Sequence, residues 1–200
     1  MPRIARFLLM AATCLIAQDQ TTPPLPAIPD LIKTGHASYM KGDYEAARQS
    51  FQQAWDIVRM GPMDDPVRYD ILKRLVSARA AAGEFADADD FLQLAISWRE
   101  QNLGMNDPKI VDDVLLSVGF ARAMKDFDKA LGVMSRVLTL HRMAAGLESI
   151  AIADDLSRVG QIHAEKGNKE AAISSLNNAL DLRARILGPC RCTPGRRTRC

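Results

Sequence analysis

Cysteine is missing from the body of this 200-residue chain: Cys14 stands near the start, Cys190, Cys192 and Cys200 near the end, and none between. Neither a disulfide nor a thiolate-bound metal is needed to fold the middle. Aromatic residues are scarce at 6%, and there is no long β-branched run, as fits an all-helical chain. Charge of one sign is lacking too: the formal net charge is only +2, so no global field draws the chain to nucleic acid. There is no Gly-rich phosphate loop, and Ser157, Ser174 and Ser175 fall in helical runs, not at a strand-to-helix elbow. His36, His141 and His163 are scattered and read as packing or surface residues. The acidic pairs Asp64-Asp65, Asp89-Asp90, Asp112-Asp113 and Asp154-Asp155 recur near helix starts or on polar faces, where they read as complements to helix dipoles. The chain is expected to be no enzyme and to use no cofactor or metal.

What the chain does have is ordinary globular composition, 48% apolar and 25% charged, in a length sufficient for one domain with a substantial core. It also repeats itself. Tyr44/Ala47/Phe51/Ala54, Phe85/Ala88/Leu92/Ala95, Phe127/Ala130/Met134/Val137 and Lys169/Ala172/Leu176/Ala179 share one spacing, and their alanines lie 41, 42 and 42 residues apart. A second marker keeps step, since Gly61, Gly104, Gly146 and Gly188 close the second helix at intervals of 43, 42 and 42. Offsets of three, four and seven place each set on one helical stripe. Alanine in that stripe lets two helices approach, and the bulky residue fills the space beside it. A polar turn joins the helices of each pair. Gly42, Gly83 and Gly167 suit the left-handed end of a helix, whereas Lys125 takes that place in the third copy.

This pattern resembles the tetratricopeptide repeat, a helix-turn-helix unit of about 34 residues in its common form. The longer period resembles the kinesin-light-chain type, with Leu103-Gly104 before Asp107-Pro108, Gly61 before Asp65-Pro66, and a close at Leu187-Gly188-Pro189. The likeness covers about residues 30 to 189. It departs at Ala145-Gly146, with no Asp-Pro following, and at Lys169, where an aromatic is usual. The resemblance implies an all-α, right-handed α-solenoid of about four hairpins, at about 30–61, 66–104, 108–146 and 149–188.

Taken in order, residues 1–17 carry Arg3 and Arg6 before a short apolar run, the layout of a signal peptide for export to a periplasm or the exterior. That run is too short to span a bilayer comfortably. Residues 18–29 form a Pro-rich spacer read as non-helical. Helices are expected at about 30–40, 44–58, 66–81, 85–102, 108–124, 127–143, 149–165 and 169–187. Asp30, Asp65 and Asp107 are candidate caps, and Glu148 or Ser149 opens the last pair. Residues 189–200 abandon helical periodicity, and their cysteines and arginines read as a disordered or aberrant tail.

Stacked hairpins put the first helix of each pair on an inner face. The resemblance implies that this face holds a protein or peptide. Its candidate residues are Ile32, His36 and Tyr39; Lys73, Ser77 and Ala80; Leu115, Gly119 and Arg122; and Ser157, Gln161 and Ala164. Lys73 and Arg122, with Arg74 or Arg158, are the cations expected to meet acidic groups of a peptide. The function expected is therefore a non-enzymatic scaffold, with no nucleic acid and no stable membrane span after signal cleavage. Two rivals stand beside it. One is the arm of a truncated protein that carried a caspase-like protease domain. The other is a repeat that self-assembles through its uncapped last unit.

Overall fold

Polar caps and short turns cut the chain into helices of nearly equal length. The computed structural model describes residues 27–105 and 107–188; the signal-like segment 1–17, the spacer as far as residue 26 and the Cys/Arg-rich stretch 189–200 lie outside the described residues. Eight α-helices and no strand occur among the described residues. They pair as α1 (Ile28–Met40) with α2 (Tyr44–Val58), α3 (Pro66–Ala81) with α4 (Phe85–Leu103), α5 (Val111–Ala123) with α6 (Phe127–Ala145), and α7 (Ile150–Glu165) with α8 (Lys169–Leu187). Each helix packs on the next in sequence, within hairpins and between them. The result is an all-α solenoid whose units bury one another's apolar faces.

Local chemistry sets the boundaries. The Asp43, Asp126 and Asn168 side chains accept backbone N–H bonds at the starts of α2, α6 and α8, Asp65 does so for α3, and Ser149 opens α7. Two starts differ from the sequence reading. The spacer drawn to residue 29 overlaps α1, because Pro29 sits in the first turn, where its missing N–H has no partner to lose. Ala27 precedes that helix without a side-chain cap, so Asp30 lies in the first turn and is not the cap. In the third unit a 3-10 turn, Pro108–Ile110, comes before α5. There Asp107 accepts from Lys109 N–H through its carboxylate and from Ile110 N–H through its carbonyl, which tightens the turn. Gly104, Gly146 and Gly188 cap α4, α6 and α8, but α2 has already ended three residues before Gly61.

The hairpin interiors keep a size balance. Ala47, Ala88, Ala130 and Ala172 are all buried, as are Ala54, Ala95, Val137 and Ala179 two turns on. Opposite the bulky stripe residue, the first helix offers Gly35 to Phe51, Val76 to Leu92, Val118 to Met134 and Gly160 to Leu176. A Cβ on Gly35 would stand 2.5 Å from the Phe51 ring, and one on Gly160 2.8 Å from Leu176, so both close approaches require glycine. The third turn is the one place among the described residues where a non-glycine takes positive φ, Lys125 at 60°.

Candidate functional site

The candidate positions form three rows along the first helices. The deepest row is half-buried: Ile32 packs on the first core cluster and Leu115 on the central one, Ser157 donates to the Ala153 carbonyl at 2.9 Å, and Lys73 reaches Asp113 at 2.6 Å. The middle row, His36, Ser77, Gly119 and Gln161, is exposed throughout. The third row runs through half-buried Tyr39, Ala80 and Arg122 to exposed Ala164. Two successive units converge on one place. His36 and Tyr39 from α1, with Lys73 and Ser77 from α3, line a cleft of about 250 Å³ together with Met40, Phe51 and Arg74. Leu115, Arg122, Ser157 and Gln161 lie farther along the same face and do not join it.

The cations of this face are already engaged. Arg122 pairs with Glu165 one unit on; this contact raises the Arg122 pKa and lowers that of Glu165. Arg74 holds Asp70 at 2.9 Å, and Arg158 holds Asp155 at 3.0 Å. The expectation that these side chains stand ready for acidic groups of a peptide is therefore corrected: each has a carboxylate from its own chain.

Those carboxylates are what the sequence reading missed. Asp113 and Asp155 are buried, with 1% and 0% of their surface exposed, and so are not on solvated polar faces, although Asp113 does stand in the first turn of α5 as expected of a helix start. Asp113 accepts from Tyr69 Oη at 2.9 Å and from Lys73 Nζ at 2.6 Å, and Arg99 lies 3.3 Å away from the preceding hairpin. Burial first, and then the bond to Asp113, push the Tyr69 phenol well above its ordinary range, and the Arg99 guanidinium covers the Tyr69 ring at 4.2 Å. One unit later His141 Nδ1 meets Asp155 at 2.5 Å. Buried Asp89 likewise takes Ser117 Oγ at 2.6 Å and Lys129 Nζ at 2.7 Å, and the Asp89 bond raises the Lys129 pKa. The signal was present in the repeat: Arg99 and His141 are 42 residues apart, as are Asp113 and Asp155.

A larger cleft, about 890 Å³, lies among α6, α7 and α8 and is lined by Leu147, Ile152, Leu156 and Arg185, away from the first-helix rows. Its counterpart two units earlier is about 260 Å³, because Arg68 and Trp98 stand where Ile152 and Leu182 stand here. Among the described residues no group of three His, Cys, Asp or Glu gathers as a metal site would require, and no described helix is long and apolar enough to cross a membrane.

Comparison with known proteins agrees with the geometry. Residues 156–185 match the tetratricopeptide repeat family model. That match places one tetratricopeptide repeat in the last hairpin, from α7 into α8. The fold of the chain is similar to the Podosopora anserina kinesin light chain structure with nearly identical TPR-like repeats, at TM-score 0.68 and 14% identity over 86% of this chain and 83% of that one. It is also similar to BtubC (BKLC) from P. vanneervenii, with TM-score 0.63 and 15% identity over 86% and 68% of the two chains. MamA gives TM-score 0.53 and 18% identity over 80% of each. No curated protein sequence matches significantly. Tetratricopeptide-repeat solenoids serve in general as protein-interaction scaffolds, presenting extended surfaces built from successive units.

Proposed function

We propose that this chain is a non-enzymatic tetratricopeptide-repeat scaffold that holds an extended segment of a protein partner along its first helices. One apolar side chain of that segment sits in the cleft between α1 and α3. The observation that carries the reading is the convergence of His36, Tyr39, Lys73 and Ser77, from two units, around a cleft floored by Phe51. The exposed row His36, Ser77, Gly119, Gln161 supports it, because the small Ser77 and Gly119 at its centre let a partner backbone come close while His36 and Gln161 offer hydrogen-bonding groups at its ends. Since Lys73 and Arg122 are spoken for, recognition rests on shape, hydrogen bonds and one apolar anchor, not on a carboxylate clamp.

The basic-then-apolar layout of residues 1–17 supports a meeting with that partner in a periplasm or outside the cell. Fusing that segment to a reporter active only after export tests this part, and a silent reporter counts against it. For the groove, a displayed peptide library is panned on the full chain. Enriched peptides should share one bulky apolar residue, and Ser77→Trp, which fills the cleft, should weaken them tenfold or more. Equal binding to the variant removes the proposal.

A further inference from the structure

The two ends of the solenoid are complementary in the register that joins its interior units. On α8 the stripe that should meet a following first helix is bare. Leu176 is 37% exposed, whereas its counterparts Phe51, Leu92 and Met134 are at 2%, 0% and 0%. Leu180 is 60% exposed, whereas Ile96 is at 2%. At the other end, Asp30, Thr34 and Ala37 of α1 are exposed, although the equivalent Asp113, Ser117 and Phe120 of α5 are buried under α4.

Charge fixes what fits there. Two of the three interior junctions pair a basic second-helix side chain with the next unit's buried aspartate, Arg99 with Asp113 and His141 with Asp155, while the α2–α3 junction holds Val58 and Ile71 at those positions. The next member of the basic series is Arg183 on α8; in the aspartate series Ile71 stands one unit before Asp113, and Asp30 on α1 holds the same register position two units before it. Arg183 has no following unit among the described residues and turns back onto Asp154 at 2.6 Å. A second contact crosses the last junction, Lys166 with Asp128. The same positions at the ends are Lys41, which caps the C-terminus of α1, and Glu170 on α8, again of opposite sign.

We infer that a second copy of this chain docks head to tail, its α1 lying on α8 where a fifth unit would begin. Arg183 then meets Asp30 of that copy, Glu170 meets Lys41, and Leu176 and Leu180 are covered by the small residues Thr34 and Ala37. Such a contact uses two different surfaces, so it does not close at two chains but grows with concentration.

Sedimentation velocity of the full chain across a hundredfold concentration range tests this, with helical circular dichroism as the folding control. The mass should rise past two chains. Arg183→Glu alone and Asp30→Arg alone should each raise the concentration needed by tenfold or more. The two single variants mixed, or both changes in one chain, should restore assembly because opposite charges meet again. Glu170→Lys with Lys41→Glu should behave the same way, independently of Arg183. A monomer at every concentration overturns the inference. So does a mass that stops at two and ignores Asp30→Arg, the mark of a symmetric α8–α8 dimer. Groove binding does not depend on these residues, so either result leaves the cleft test unaffected.

Discussion

Two junctions of the same solenoid solve one packing problem with opposite chemistry. Where α2 meets α3, the positions that matter hold Ile28, Ile32, Val58 and Ile71, all within one apolar cluster. One unit on, where α4 meets α5, the equivalent positions hold Tyr69, Lys73, Arg99 and Asp113, joined by hydrogen bonds and ion pairs around the buried carboxylate. The third junction is a hybrid, with Val111 and Leu115 beside His141 and Asp155. The helices lie in the same order in all three, so the ionic set is not what makes the hairpins stack. A buried ion pair roughly recovers its desolvation cost, but a lone buried charge does not. The apolar junction is tolerant of change, and the ionic one fails when a single member is lost.

The sharpest way to separate the junctions is to remove that carboxylate. Asp113→Ile leaves Arg99 and Lys73 without their anion and is expected to lose about 3–5 kcal/mol in denaturant unfolding; a loss below about 1 kcal/mol would make the network incidental. The hairpins themselves differ next. Gly35→Ala drives a Cβ into the Phe51 ring and should cost about 1–3 kcal/mol, whereas Gly119→Ala, with nothing within 4 Å, should be neutral or mildly stabilising. Similar effects at both sites would show that the close approach in the first hairpin is not what selects glycine.

The third turn should yield a gain. Lys125 holds φ of 60°, where the glycines of the other hairpin turns hold 80° to 86°. Lys125→Gly is expected to raise stability by about 1 kcal/mol, read as a higher denaturation midpoint. The smallest effect lies at Glu165, whose folded pKa is lowered by Arg122 below the ordinary 4.5. A carboxylate lowered on folding contributes above its unfolded pKa and loses that contribution as pH falls through the folded value. Both partners are partly exposed, so the contribution stays under about 1 kcal/mol. Glu165→Gln should flatten the acid side of the stability curve and leave pH 7 almost unchanged; an equally steep acid limb would discharge the pair.

The helices were legible because hairpin periodicity is a local property. α2, α3 and α8 begin and end where their stripes and caps predict. The start of α1 was hidden by the proline that its first turn accommodates, and the 3-10 turn at Pro108 by an Asp-Pro signal identical to the one opening α3. The state of the groove was not legible, because it depends on partners far off in sequence. Lys73 looks available until Asp113, 40 residues away, is placed beside it, and Arg122 until Glu165, 43 away, does the same. Adjacent aspartates misled for a related reason: Asp112 and Asp113 are alike as a dipeptide, yet one faces solvent and the other is enclosed.

Every junction shares one register, which either chemistry can fill. Tyr69→Ile, Lys73→Ile, Arg99→Val and Asp113→Ile together rewrite the α4–α5 junction as a copy of the α2–α3 junction. Equilibrium unfolding of this fourfold variant should give a folded helical protein at least as stable as the original, despite the large loss from Asp113→Ile alone. A variant no more stable than that single mutant, or one that does not fold, would contradict the shared register.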